Sequence, residues 1–84
     1  MECQVTVNHA AGFHARPAAE FVKEAIRFKS KIDVLVDTQT VNAKSILGLL
    51  ALGIKQGQSV VLRAEGPDAE AALSELSPLL EGMK

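Results

Sequence analysis

The sequence predicts a two-layer α+β domain, an open-faced β-sandwich in which three helices cover one face of a four-stranded antiparallel sheet. Four short segments alternate apolar and polar residues, as half-buried strands do, and three others repeat apolar residues at helical spacing. Their order is β-α-β-β-α-β-α. Neighbouring strands that alternate in polarity favour an antiparallel sheet with one solvated face. Because no linker or repeat divides the 84 residues, we expect one domain over residues 1–84.

Each predicted strand has one apolar face. The residues on these faces are Cys3, Val5 and Val7; Ile32, Val34 and Val36; Val41 and Ala43; and Val60, Leu62 and Ala64. The second and third strands are expected to form a hairpin that turns at Asp37-Thr38. This turn lacks the glycine that a tight primed turn prefers.

Two of the predicted helices have recognisable ends. The first has Pro17 in its first turn, where the missing N–H is harmless, and its apolar face is Ala18, Phe21, Val22, Ala25 and Ile26. The second lies within "KSILGLLALGI", between Ser45 as N-cap and Gly53 as C′ residue. A strand is the competing interpretation of this apolar run, but leucine and alanine favour a helix.

The third predicted helix opens near Pro67-Asp68. Its apolar residues are Ala69, Ala72, Leu73, Leu76, Leu79, Leu80 and Met83. Pro78 falls within this pattern, and its ring displaces a backbone hydrogen bond, so we expect it to kink or split the helix.

Composition excludes several classes of function. A net charge of −1 gives no basic surface for nucleic acid. No segment approaches the roughly 20 apolar residues of a membrane span, and the first residues lack the apolar core of a signal peptide. The single cysteine, Cys3, cannot form an internal disulfide, which fits a reducing compartment. We therefore expect a cytoplasmic protein with protein partners, no cofactor and no membrane insertion.

The segment "GFHARPA" has the chemistry of an anion site. A helix N-terminus presents unpaired N–H groups and a partial positive charge. That field disfavours an imidazolium, so we expect neutral His14, whose free ring nitrogen is a nucleophile. Arg16 adds a permanent charge and a donor fork that matches phosphate oxygens. A phosphoryl group on His14 would bring roughly two negative charges to this cradle.

Other roles for His14 stay open at the level of the residues. A histidine before a helix is often a capping or surface residue. A metal site has little support, because His9 and His14 are five residues apart and no cysteine pair lies nearby. No nucleophile-elbow glycine pattern is present either.

Two motifs together, "GFHARPA" and "NAKSILGLLALGI", resemble HPr, the histidine-containing phosphocarrier family of the phosphoenolpyruvate:sugar phosphotransferase system. The resemblance covers nearly the whole chain. It implies that His14 accepts a phosphoryl group from enzyme I on Nδ1 and passes it to sugar-specific enzyme IIA domains. It also implies that Arg16 is the charge partner and that the backbone amides of residues 15–18 form the cradle. Pro17, which has no N–H, would instead set the turn.

The same resemblance implies a docking surface for enzyme I and enzyme IIA near His14. The residues expected to contribute are Phe13, Ala15, Leu47, Leu50 and Ala51. Phe13 is also expected to hold the loop as an apolar neighbour. The alternative for the two leucines is burial in the core. Ala51 stands where HPr proteins often have serine or threonine, so one polar partner contact is expected to be missing.

Ser45 is a second candidate site. Its simplest role is that of an N-cap. In HPr proteins of many Gram-positive bacteria the matching serine is phosphorylated by HPr kinase/phosphorylase, and the product acts with a catabolite regulator. "KSILGLLALGI" resembles that version, whereas "RPAAEFVKEA" resembles the enteric version that lacks this regulation.

Three alternatives to a sugar phosphocarrier remain. The first is a regulatory HPr-like protein that acts as a catabolite corepressor, and the second is the carrier of the nitrogen-related phosphotransferase system. The third is a binding module without phosphoryl chemistry. We expect the protein to be a monomer, because transient partners need a free active face.

Overall fold

The computed structural model describes residues 1–10 and 12–82. The strands are β1 (Glu2–Thr6), β2 (Lys31–Val36), β3 (Gln39–Asn42) and β4 (Ser59–Glu65), and the helices are α1 (Ala15–Ala25), α2 (Ile46–Ala51) and α3 (Ala69–Glu81). The sheet has the strand order β1-β4-β2-β3, and every neighbouring pair is antiparallel. The predicted fold class and element order are confirmed.

The hydrophobic core lies between one face of the sheet and the helices. Most side chains predicted to face inward from the four strands, including Val5, Val34 and Leu62, are buried, whereas Cys3 and Val41 are half-buried and pack against the core. The other sheet face carries the half-buried pair Leu35 and Val61 and, next to it, an ion pair in which an Arg63 guanidinium nitrogen lies 3.1 Å from an Asp33 carboxylate oxygen.

The β2–β3 hairpin turns through Asp37 and Thr38, as predicted. Asp37 takes a positive φ of 55°. Aspartate tolerates this left-handed conformation better than most residues, which explains how the hairpin closes without glycine.

The start of α1 agrees with the prediction, but its C-terminal end does not. The helix begins at Ala15, two residues before Pro17, which still lies in the first turn. The assignment of Ile26 to the apolar face is wrong, because Ile26 is 59% exposed. It is the C-cap of α1 and its N–H still donates to the Val22 carbonyl at 3.0 Å, so the helical backbone reaches Ile26 but its side chain faces solvent.

Both predicted ends of α2 are confirmed. The Ser45 hydroxyl oxygen accepts a hydrogen bond from the Gly48 N–H, with an oxygen–nitrogen distance of 3.1 Å. Gly53 follows the C-cap residue with a φ of +62°, the left-handed geometry that commonly ends a helix.

Helix α3 runs without a break from Ala69 to Glu81, so it is not split at Pro78. The proline lies in the last turn, where its missing N–H removes a single bond close to a helix end. Met83 lies outside the described residues. Among the described residues, no helix has the length and apolar character needed to cross a membrane.

Asp68, the N-cap position of α3, holds a neighbouring loop rather than its own helix. Its carboxylate accepts hydrogen bonds from the Ser30 hydroxyl and from the backbone N–H groups of Lys29 and Ser30. These bonds, above all the one from the Ser30 side chain, lower the pKa of Asp68 from its ordinary value. They tie the end of the α1–β2 connection to the start of α3.

Candidate functional site

His14 is the N-cap residue of α1, and its backbone is extended, with φ −85° and ψ −169°. Its side chain makes no capping hydrogen bond, and the residue is exposed. His14 therefore occupies the N-cap position, but its side chain does not cap the helix. An imidazole that is not used by the fold is available for chemistry at the N-terminal end of the helix.

The loop before His14 is held tightly by its backbone. Gly12 has a φ of +79°, and its N–H donates to the His9 carbonyl at 2.9 Å. A Cβ at Gly12 would lie 2.8 Å from the Ile54 carbonyl oxygen. That same oxygen accepts the Phe13 N–H at 2.9 Å. Glycine is thus required at the start of "GFHARPA", because the backbone of Gly12 lies too close to the segment after α2 to leave room for a side chain.

Phe13 supports the loop from beneath. Its side chain is 3% exposed and contacts the Phe21 ring edge-on, with ring centroids 5.7 Å apart. The expectation that Phe13 holds the loop agrees with this position. The expectation that it also contacts a docked partner does not, because a buried ring offers a partner almost no surface.

The predicted amide cradle is narrower than expected. The Ala18 N–H donates to the His14 carbonyl at 3.0 Å, so it is already bonded within the helix, and Pro17 has no N–H. Ala15 and Arg16 occupy the first two helical positions, for which a helix supplies no internal acceptor. Two backbone amides, rather than three, are placed to receive an anion.

A cavity of about 370 Å³ opens beside His14. Its lining residues are His9, Ala10, His14, Arg16, Pro17 and Glu20. Arg16 is exposed and forms no ion pair with any residue that the structure describes, so its guanidinium charge is not neutralised within the fold. An uncommitted imidazole, a free guanidinium and the N-terminal end of a helix thus share one cavity, which is an anion site with a built-in nucleophile.

Sequence reasoning missed His9 and Glu20 as residues of this cavity. Glu20 lies one turn after Arg16 on α1, so helical spacing could have placed it near the site. His9 had no such signal: its Nε2 hydrogen-bonds to the Leu79 carbonyl oxygen at 2.9 Å, a contact between residues 70 apart in the sequence. Among the described residues, no cluster of three or more metal-ligating side chains occurs.

The expected docking residues on α2 lie at the surface. Leu47 is 78% exposed and Leu50 is 37% exposed, and Ala51 is exposed as well. Neither leucine belongs to the core, which α2 supplies with Leu49. Helix α2 packs against α1, whose first residue, Ala15, is also exposed. We refer to Ala15, Leu47, Leu50 and Ala51 as the α1–α2 patch.

Comparison with known proteins places this site in a family. A family model described as the PTS HPr component phosphorylation site matches residues 1–82. The phosphocarrier protein HPr of Buchnera aphidicola subsp. Acyrthosiphon pisum is 43% identical over 77 residues, which are 92% of this chain and 91% of that protein. The HPr-like protein Crh of Halalkalibacterium halodurans is 46% identical over 81 residues, 96% of each chain.

The fold also matches that of solved HPr structures. The crystal structure of the phosphocarrier protein HPr from Bacillus anthracis str. Ames matches with a TM-score of 0.91 and 44% identity, covering 95% of both chains. The chain therefore belongs to the HPr family of phosphocarrier proteins of the phosphotransferase system.

Proposed function

We propose that this protein accepts a phosphoryl group from phosphorylated enzyme I on His14 and passes it to sugar-specific enzyme IIA. The observation that carries the proposal is the cavity at the start of α1, which is lined by both Arg16 and His14. The His14 side chain makes no capping hydrogen bond there. Family membership supports the phosphocarrier role.

In the transfer, the lone pair of His14 Nδ1 attacks phosphorus while the bond between phosphorus and the donor breaks, and the donor keeps that electron pair. Arg16 and the amides of Ala15 and Arg16 stabilise the negative charge on the phosphoryl oxygens. Since the phosphoramidate bond formed is reactive, the same geometry serves the reverse attack by an acceptor domain. The protein is a covalent carrier that turns over only through its partners.

The α1–α2 patch suits the docking of these partners, because Ala15 adjoins His14 in the sequence, α2 packs against α1, and the exposed apolar side chains of the patch lose their contact with water only when a partner is bound. A monomer that works in the cytoplasm leaves this face free. Size measurement by light scattering at the concentrations used for transfer tests the monomeric state.

The test is incubation with phosphoenolpyruvate and enzyme I, followed by detection of an acid-labile, base-stable phosphate on the intact protein. We expect one phosphate per chain and none on His14→Ala. Arg16→Ala should slow transfer more than it lowers stability. Arg27→Ala is a matched control, because it removes the same charge at the far end of α1, where Arg27 pairs with Glu24 at 2.8 Å. Label that survives His14→Ala would contradict the proposal.

A regulatory role at Ser45 is the second candidate, and the similarity to Crh favours it. The Ser45 hydroxyl caps α2, and a phosphate at a helix N-terminus is electrostatically tolerated. Incubation with ATP and HPr kinase/phosphorylase should label the wild type and leave Ser45→Ala unlabelled. Without labelling of the wild type, the capping role is sufficient and no catabolite regulator is required as a partner.

The choice of phosphoryl donor distinguishes the sugar phosphotransferase system from the nitrogen-related one. We expect the sugar-system enzyme I to phosphorylate this protein faster than its nitrogen-system counterpart under equal conditions. The reverse order would assign the protein to the nitrogen branch without changing the role of His14.

A further inference from the structure

His9 lies in the phosphoryl cavity without belonging to the "GFHARPA" motif. It is half-buried, and it lines the same cavity as His14 and Arg16. It also lines a second, adjoining cavity with Pro17, Glu20, Leu79 and Gly82. Its imidazole therefore stands between the C-terminal end of α3 and the anion site.

The hydrogen bond of His9 determines its tautomer. Nε2 lies 2.9 Å from the Leu79 carbonyl oxygen. A carbonyl oxygen can only accept, so Nε2 carries a proton in every protonation state that keeps this bond. Nδ1 remains as the second polar atom of the ring, and no residue that the structure describes hydrogen-bonds to it. Nδ1 is an acceptor while His9 is neutral and a donor when His9 is an imidazolium.

The ring is also held in place by apolar contacts. It meets the Phe13 ring with centroids 5.5 Å apart and an interplanar angle of 60°. A Cβ at Gly82 would lie 3.2 Å from three atoms of the His9 ring, so the ring lies directly over this glycine. If the His9 ring rotated, it would lose these contacts together with the hydrogen bond to the Leu79 carbonyl. The fold therefore sets the orientation of Nδ1.

Charges of both signs face His9. On α3, the Leu79 carbonyl belongs to the negative end of the helix, and Glu81 lies in the same last turn. On α1, the carboxylate of Glu20 lines both cavities. Arg16 and the N-terminal end of α1 oppose them, and His14 adds a charge only when protonated. A phosphoryl group on His14 would add roughly two negative charges to this set.

We propose that His9 is a second phosphate-binding residue, which takes up a proton when His14 is phosphorylated. The proposal rests on the proposed function of His14. A proton from solvent binds to His9 Nδ1, and the new Nδ1–H donates to a phosphoryl oxygen, while no bond to phosphorus changes. The phosphorylated form then binds more protons than the unphosphorylated form. Its relative stability is therefore greatest at acid pH and falls as pH rises through the titration of His9.

Nitrogen-15 NMR of the histidine rings tests this without any partner enzyme. Protein labelled with ¹⁵N-histidine is phosphorylated by potassium phosphoramidate, and His9 is titrated in both forms. We expect the midpoint of the His9 titration to move to higher pH on phosphorylation. A phosphorylated His14 with an unmoved His9 midpoint would overturn this inference alone. Failure of His14 to accept phosphate would overturn the proposed function as well.

A competition experiment distinguishes a positive charge on His9 from a purely structural role of this residue. His9→Gln keeps an N–H donor for the Leu79 carbonyl but cannot become a cation. Wild type and His9→Gln share a limiting amount of phosphate, exchanged by catalytic enzyme I. We expect the wild type to hold about threefold more phosphate near pH 6, and the two proteins to approach equal amounts near pH 8.5. A preference that is the same at both pH values would identify a purely structural residue and contradict the proposal.

Discussion

Replacing Gly12 with alanine tests whether the loop before His14 is held as tightly as the structure indicates. At a φ of +79°, a residue with a Cβ costs about 1–2 kcal/mol. The new Cβ would also lie 2.8 Å from the Ile54 carbonyl oxygen, closer than such atoms come in folded proteins. That oxygen cannot retreat without stretching its bond to the Phe13 N–H. Overpacking of this kind costs about 1–3 kcal/mol more.

Gly57→Ala is the matched control. Gly57 has a similar φ of +88°, but nothing lies within 4 Å of the position its Cβ would take. The backbone strain and the change in the unfolded chain are common to both variants, so they cancel in the comparison.

Urea unfolding should show that Gly12→Ala loses about 1–3 kcal/mol more stability than Gly57→Ala. Phosphorylation by enzyme I should slow in Gly12→Ala and stay unchanged in Gly57→Ala, because only the first substitution displaces His14. Equal losses of stability in the two variants would refute the close packing of the loop against Ile54.

Three further predictions concern the rest of the molecule. Ser45→Ala should lower the free energy of unfolding by about 1 kcal/mol, since the Gly48 N–H loses its partner, and urea titration measures this. Leu47→Ala should change stability by less than about 0.5 kcal/mol, because the side chain is 78% exposed, while raising the KM for enzyme I. Asp68→Asn should destabilise the fold at neutral pH. Because hydrogen bonds from the Ser30 side chain and the Lys29 backbone lower the pKa of Asp68, the aspartate contributes its stability above its unfolded-state pKa. It loses that stability as pH falls through the folded value, so the two unfolding curves should converge in acid.

The sheet could be predicted because each strand has one apolar face. Val5 lies between two polar residues, and apolar residues recur at every second position around Val34 and Leu62. This period is visible without any knowledge of pairing. The α2 helix was equally accessible, since Ser45 and Gly53 mark its ends by local chemistry alone. Ile26 was misplaced because the apolar spacing continues past Ala25, whereas the burial of this helix face ends at Ala25.

The residues of the site also fall into two groups, those placed by the local sequence and those placed by contacts between distant segments. His14, Arg16 and Pro17 are consecutive or nearly so, and their position at a helix start follows from the local sequence. The burial of Phe13 and the place of His9 depend instead on contacts with Phe21 and Leu79, which only the folded chain brings together. Likewise, the family resemblance placed Ala18 in the cradle, and only the structure shows that its N–H is already bonded to the His14 carbonyl.

The most direct test of the account is the identity of the atom that carries phosphate. After incubation with phosphoenolpyruvate and enzyme I, ³¹P–¹⁵N coupling in the ¹⁵N-histidine-labelled protein identifies the bonded nitrogen. We predict a single phosphorus–nitrogen bond, at Nδ1 of His14. A bond at Nε2 of His14, a bond to His9, or phosphate on Ser45 with none on histidine would contradict it.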